Sequence, residues 1–430
     1  MKKVCIIGAG IVGSSLAKKL THSGYEVAVI DYNDTKIEDL TSTLDIMGID
    51  CDATEVKCLD KVKDFELFIV VTDSDERNIA IAAILKAFFK KEKIIVRVSK
   101  NAFAAPPMKE LLGIEAVNIL TEVITKIIDT IRFPFAMSVV RFEKGKLILL
   151  NYKVSSEDIF AGKEIKELQA LKQLVPFTIA ALERDGKVVI PKGGTIVYPE
   201  DIIFFVIKEE DVKLFQEHLL RNAEPIKLLF ILGHSKFTNE LLKRIIGLEG
   251  LKIKLVEKDL QKCEEIAGEF PEIDVLHGEV TDVELLKSEG INNAGLVVAI
   301  TEDEEDNVLS CILAKKLGAK RAAALISHTE YENIIESIGI DTPIVPRKLL
   351  ASRVYTTLSS KSLLDVFELR DNIEIIEIKV DKEWNEKRIA DIKYKDCPLI
   401  LALKRQTEIQ VVDGNTQVRE GDILICIREK

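Results

Sequence analysis

Three glycines near the start of the chain have the spacing of a phosphate-binding turn. They follow the apolar run Val4–Ile7 and precede apolar residues at helical intervals, which predicts a strand, a tight turn and a helix. Gly8 permits the turn, Gly10 lets a pyrophosphate approach the backbone, and Gly13 lets the helix pack on the strand. The unpaired N–H groups of the helix N-terminus would face the phosphates. The predicted cofactor contacts of this turn are Gly8, Ala9, Gly10, Ile11, Val12 and Gly13.

An acidic residue, Asp31, ends the next predicted strand, 23 positions after Gly8. Nucleotide-binding units place there the carboxylate that accepts the ribose hydroxyls. Because no arginine follows Asp31 immediately, an unphosphorylated 2′-hydroxyl is favoured. The sequence therefore predicts NAD(H) or an adenosine nucleotide, ATP or ADP, in preference to NADP.

Alternating strands and helices must position these groups. Predicted strands at residues 48–53, 67–71 and 94–98 are separated by helices at 36–44, 56–62 and 79–89, the last buried on the sheet. This order implies a parallel sheet with right-handed crossovers, whose ligands lie at the carboxyl ends of the strands. Further candidate contacts at those ends are Asp52, Thr72, Asp73 and Arg97.

Two groups at these strand ends have alternative roles. Arg97 is costly to bury without an anion, and either a phosphate or Asp73 would supply one. Asp75 and Glu76 would favour the N-terminus of the following helix.

The pattern occurs twice. A helix predicted at 115–128 precedes a β-rich stretch, after which Gly233, Glu257 and Thr301 repeat Gly8, Asp31 and Thr72 at intervals of 225, 226 and 229 positions. Arg184, Gly193 and Asp201 likewise return 221 positions later. The predicted fold is α/β: two Rossmann-like, doubly wound parallel-sheet domains, each followed by a small β-rich α+β lobe. The predicted domains are residues 1–135, 136–222, 223–360 and 361–430.

Composition limits the function classes. A net charge of −11 argues against nucleic-acid binding. The seven cysteines show no C-x-x-C pair and no metal-ligand spacing with histidine, and we interpret them as reduced, mostly buried thiols of a cytosolic protein. No signal peptide is expected, and the most apolar window, 79–89, is too short to span a bilayer, so no direct membrane insertion is predicted.

The tandem order resembles the TrkA family, the regulatory subunits of Trk potassium uptake systems, whose domains are called RCK or KTN domains. The motifs that carry the resemblance are Gly8–Gly13, Asp31, Thr72–Asn78 with Arg97, and Val298–Asn307. It implies a cytoplasmic, peripheral protein on the inner face of the cell membrane that docks on a TrkH-like potassium-translocating subunit. NAD(H) or ATP/ADP would gate potassium flux, and the protein would be a homodimer or homotetramer with helices 115–128 and 348–358 crossing to the partner.

An NAD-dependent oxidoreductase is the alternative. It needs a substrate pocket with a general acid or base beside the nicotinamide, and the small lobes offer no such arrangement. We therefore expect no enzyme activity. Which nucleotide dominates and which direction of gating it favours stay open.

The second half departs from the nucleotide-binding pattern. Ser235 and Thr238 occupy its glycine loop, and alignment of Phe103 with Tyr331 places Leu325 where Arg97 stands. Gly233 and Glu257 stay as candidate contacts of a weaker ligand. We predict one tight nucleotide per chain, in the first half.

Overall fold

The computed structural model describes residues 2–142, 145–220, 224–327, 335, 338–358, 373–392, 397–406 and 408–429, which form four sheets. The chain divides into two compact units. One contains Met1–Ile128 and Ile226–Thr357, and the other contains Asp129–Pro225 and Leu358–Lys430. The two α/β domains thus share one unit, and the two β-rich lobes share the other.

The first sheet is parallel, with strand order β3-β2-β1-β4-β5-β6. Its strands read as apolar runs because helices cover both faces. The strands are β1 Lys3–Ile7, β2 Glu26–Asp31, β3 Met47–Asp50, β4 Leu67–Val70, β5 Lys93–Val98 and β6 Glu115–Asn118. The helices are α1 Ile11–His22, α2 Asp34–Thr43, α3 Val56–Asp60, α4 Asp75–Phe89, α5 Asn101–Ala104, α6 Pro106–Leu112 and α7 Ile119–Arg132.

The first lobe is an antiparallel sheet of order β10-β9-β11-β8-β7. Its elements are β7 Ser138–Phe142, β8 Leu147–Lys153, β9 Phe177–Arg184, β10 Lys187–Val189, β11 Ile202–Lys208 and α8 Val212–Leu219. Phenylalanines fill its core, and the rings of Phe177, Phe205 and Phe215 contact one another edge to face.

The second α/β domain repeats the first topology, with order β14-β13-β12-β15-β16-β17. Its strands are β12 Leu228–Leu232, β13 Lys252–Glu257, β14 Asp274–His277, β15 Leu296–Ala299, β16 Ala322–Leu325 and β17 Thr342–Ile344. Its helices are α9 Thr238–Ile245, α10 Leu260–Glu269, α11 Val283–Ser288, α12 Glu304–Lys316 and α13 Pro346–Leu358. This recurrence confirms the predicted α/β fold and its duplication.

The second lobe has strands β18 Ile373–Lys379, β19 Leu399–Arg405, β20 Glu408–Val411 and β21 Ile423–Glu429, in the order β18-β21-β19-β20. One buried apolar cluster joins the two lobes: Leu149 and Val206 of the first pack with Leu401 and Ile425 of the second. The lobes therefore stabilise each other through a common core.

Two sequence expectations are wrong, whereas the predicted burial of helix α4 on the sheet is confirmed by the buried Ile81, Ala82 and Leu85. Residues 115–118 form the sixth strand β6, and the helix α7 begins only at Ile119. The thiols are not all reduced: Cys51 pairs with Cys58, and Cys397 pairs with Cys426.

Candidate functional site

The first glycine loop has the geometry that its spacing predicts. Gly8 has a φ of +110°, and a Cβ on Gly13 would lie 1.8 Å from the carbonyl oxygen of Gly8. A Cβ on Gly10, by contrast, would meet no atom within 4 Å. Gly13 thus serves the contact between helix and strand, whereas the space above Gly10 is open to a ligand.

The carboxylate of Asp31 anchors this loop. Its Oδ2 accepts the N–H of Ala9 at 2.6 Å, and its Oδ1 accepts the N–H of Asn33 at 3.0 Å. Gly10, the N-cap of α1, supplies no side-chain cap, so the first-turn N–H groups of the helix stay available to an anion.

A buried asparagine joins the ends of β4 and β5. The Asn78 side chain accepts the N–H of Thr72 at 3.0 Å and donates to the carbonyl oxygens of Thr72 and Arg97 at 3.2 and 3.0 Å. It is fully buried, and it fixes the two strand ends that carry candidate ligand contacts. Asp75 lies in the first turn of α4 as expected, and it also accepts the N–H groups of Ser99 and Lys100.

The guanidinium of Arg97 is only partly satisfied. Its Nη1 donates to the carbonyl oxygen of Thr72 at 2.5 Å, while its buried Nε has no hydrogen-bond partner among the described residues. Burial lowers the pKa of Arg97, the charges of Asp75 and Asp73 raise it, and the nearby Arg347 lowers it again. A half-buried cation with an unused donor is typical of an anion-binding site.

Asp52 belongs to a group that the sequence did not reveal. Its carboxylate binds Nη2 of Arg77 at 2.6 Å, and the Arg77 guanidinium lies 5.2 Å from the centre of the Tyr32 ring. Hydrogen bonds from Thr54 and the charge of Arg77 lower the pKa of Asp52, so this carboxylate is ionised at neutral pH. Tyr32 is 62% exposed and offers an aromatic face beside Asp31.

The second α/β domain keeps the same supports. Glu257 accepts the N–H groups of His234 at 2.8 Å and Asp259 at 2.9 Å, as Asp31 does in the first domain. Asn307 donates to the carbonyl oxygen of Leu325 at 3.0 Å, which confirms that Leu325 stands where Arg97 does.

The second loop is closed by its own side chains. The N–H of Ser235 donates to Oγ1 of the buried Thr238 at 2.9 Å, and α9 begins only at Thr238. A Cβ on Gly233 would lie 2.1 Å from a methyl group of Thr301, so this glycine permits close packing.

Both glycine loops border one cleft of about 1140 Å³ within this unit. The second domain contributes to the lining with Ser235, Lys236, Thr301, Glu302, Leu325 and Arg347. Of the predicted site residues, Gly13, Gly233 and Glu257 lie outside the lining. The predicted residues that line it are Gly8, Ala9, Gly10, Ile11, Val12, Asp31, Asp52, Thr72, Asp73 and Arg97.

Sequence reasoning missed Tyr32, Arg77, Asn78 and Arg347. A signal existed for Asn78, because an asparagine follows the strand-end threonine by six positions in both repeats, at Asn78 and Asn307. The sequence contains no such signal for Arg347, since no repeat pattern indicates that a residue of the second domain faces the first site.

Membrane-spanning helices and metal-binding clusters are both absent from the part of the chain that the structure describes. No helix there has the length and apolar character needed to cross a membrane. No group of histidine, cysteine and acidic side chains there has the arrangement of a metal site.

Comparison with known proteins identifies the tandem pattern. The TrkA-N domain model matches residues 4–119 and 229–346, which is more than half of the chain, and the TrkA-C domain model matches residues 149–220. The potassium uptake protein TrkA of Vibrio alginolyticus is 26% identical over 442 residues, covering 98% of this chain and 95% of that protein. A TrkA homolog of Archaeoglobus fulgidus is 27% identical over 436 residues, covering 98% and 96%.

Solved structures share the fold. The RCK domain of GsuK superposes with a TM-score of 0.61 at 18% identity, over 99% of this chain and 92% of that chain. The GsuK channel bound to NAD superposes with a TM-score of 0.63 at 18% identity, over 99% of this chain and 76% of that chain. At this identity the likeness concerns the fold alone.

Proposed function

Since the chain belongs to the TrkA family of regulatory subunits of potassium uptake systems, we propose that a nucleotide bound in the cleft is the signal to which it responds. Membership of a family of transport regulators decides against the oxidoreductase alternative. The ligand is NAD(H) or ATP/ADP, and its binding changes potassium flux through a membrane subunit.

The observation that carries this proposal is the convergence of three groups at the first strand ends. The uncapped N-terminus of α1 and the unused Nε of Arg97 suit phosphates, and Asp31 suits ribose hydroxyls. We assign ligand contact to the ten predicted residues that line the cleft. Gly13, Gly233 and Glu257 receive structural roles in this proposal.

Calorimetry on the full chain tests the site. We expect one nucleotide per chain, and Gly10→Ala should weaken binding at least about tenfold, because its methyl group would meet only the ligand. The matched control is Gly24→Ala, at a turn glycine outside the cleft whose Cβ also has open space, monitored by thermal melting because its φ is +78°. Absence of binding by the unmodified chain, or equal binding by Gly10→Ala, contradicts the proposal.

We further propose a TrkH-like membrane subunit as the partner, with the protein acting as a peripheral homodimer or homotetramer on the cytoplasmic face. Among the described residues no helix could anchor it by itself. Sedimentation with membranes should therefore require that subunit. Pelleting in cells that lack the subunit would show a different mode of attachment.

A further inference from the structure

The strongest unexplained feature of the cleft is Arg347, a cation that the other α/β domain contributes to the lining. It lies in the first turn of α13, directly after Pro346, and is exposed. It lines the cleft with Arg97 and the first glycine loop. The corresponding stretch of the first domain, Ile119–Thr121, carries no cation.

The two guanidinium groups lie close enough to influence each other. The charge of Arg347 makes the protonated form of Arg97 less favourable, so the pair is repulsive without a ligand. Among the described residues the buried Nε of Arg97 has no acceptor, and Arg347 is an exposed residue of the cleft lining. An anion between the two guanidinium groups would offset their repulsion and accept hydrogen bonds from both side chains.

The loss of a cation at Leu325 explains why such a bridge belongs to the first site. In the second domain the strand-end position faces the cleft with an apolar side chain. The second domain therefore lacks the strand-end cation of the first, and the cations that it contributes to the lining are Lys236 and Arg347.

We propose that Arg347 binds a phosphate of the nucleotide held by the first domain, so that the phosphate links the two α/β domains. This inference rests on the proposed nucleotide site. It makes the second domain a sensor of the ligand's phosphates, although that domain binds no nucleotide tightly. A ligand with more phosphate charge should then pull the domains together more strongly than one with less.

Titration calorimetry on the full chain with ATP, ADP, NADH and adenosine tests the bridge. Arg347→Gln should weaken ATP binding about 10- to 100-fold, the range expected for one charged hydrogen bond. Adenosine, which has no phosphate, should bind as it does to the unmodified chain. Arg347→Lys should recover part of the loss, since it keeps the charge without the planar fork.

Lys348→Gln is the matched control, because it removes the same charge from the next residue of the same helix, outside the cleft lining. It should leave ATP affinity within about twofold of the unmodified value. Equal ATP affinity of Arg347→Gln and the unmodified chain overturns the bridge while leaving the nucleotide site intact, and so does an equal loss in Lys348→Gln. Failure of the unmodified chain to bind any of the phosphorylated ligands overturns both proposals.

Discussion

Both α/β domains hold the glycine loop with the acid at the end of the second strand: Asp31 binds the N–H of Ala9, and Glu257 binds the N–H of His234. Both also join the fourth and fifth strands through a buried asparagine. They differ in the groups that a ligand would touch, because Thr238 closes the second loop and Leu325 replaces Arg97. The two domains thus share the scaffold of the loop and differ in the residues that we propose as ligand contacts.

A second difference lies beside Asp52. The first domain places the Cys51–Cys58 disulfide there, with the two Cα atoms 5.9 Å apart. At the corresponding position of the second domain, the Leu285 side chain packs over Gly278, where a Cβ would lie only 2.5 Å from it. The same space is therefore filled by a covalent bond in one domain and by a leucine in the other.

The largest effect that would test this comparison concerns Gly13. Gly13→Ala should lower the free energy of unfolding by about 3 kcal/mol or more, because the new methyl group would overlap the backbone of Gly8. Gly10→Ala should change it by less than about 1 kcal/mol. Denaturant unfolding followed by circular dichroism measures both. Equal stability of the two variants would contradict the assignment of separate roles.

The second largest expected effect on the free energy of unfolding comes from the Cys51–Cys58 disulfide. Cys51→Ser is expected to lower the free energy of unfolding by about 2–3 kcal/mol under oxidising conditions, since the bond closes a short loop in the unfolded chain. The control is the same comparison in reductant, where the difference between the variant and the unmodified chain should largely disappear. A difference that persists in reductant would assign the effect to packing of the thiols.

The 2′-phosphate of NADPH provides a test of Asp31. NADPH should bind the unmodified chain more weakly than NADH by about 2 kcal/mol, because the ribose end of the site presents a carboxylate. Asp31→Asn should reduce this difference in affinity between NADH and NADPH. Asparagine is a better substitution than alanine because its side-chain oxygen can still accept an N–H group, as Asp31 does from Ala9 and Asn33. Equal affinities of the unmodified chain for the two dinucleotides would remove Asp31 from the ribose site.

These tests use the full chain because the two lobes share a core. Leu149 and Leu401 belong to one buried cluster, so cutting the chain into halves would expose apolar surface from both. The number of nucleotides bound per chain is therefore best measured on the full chain. The predicted domain boundaries stay a prediction.

The sequence predicted the features that local sterics and repetition determine. Gly8, Gly13 and the strand-end acids were found because a tight turn and close packing restrict the residue type. The strand β6 was missed because Glu115–Asn118 leads without a break into the amphipathic helix α7. The Cys51–Cys58 pair and the position of Arg347 depend on tertiary contacts that sequence spacing does not encode.

The smallest expected change in the free energy of unfolding concerns the arginine–aspartate pair that each lobe contains. This change should depend on pH. Arg184 binds Asp201 through Nε at 2.7 Å and Nη2 at 2.6 Å, and Arg405 binds Asp422 in the same way. Burial alone would raise the pKa of Asp201, but hydrogen bonds from Arg184 and the Tyr198 N–H, with the charge of Arg184, lower it overall.

A carboxylate whose pKa is lowered by folding stabilises the protein fully above its unfolded pKa, about 4, and loses that contribution as the pH falls through the folded pKa. Asp201→Asn should therefore cost about 1–2 kcal/mol at pH 7, a reduced figure because the Arg184 side chain is 40% exposed and screened by solvent. The difference between variant and unmodified protein should shrink below about pH 4. Asp422→Asn should show the same pH-dependent loss of stability, whereas Asp185→Asn, at an exposed turn, should not. A loss of stability in Asp201→Asn that does not change with pH would show that the aspartate acts through packing and not through its charge.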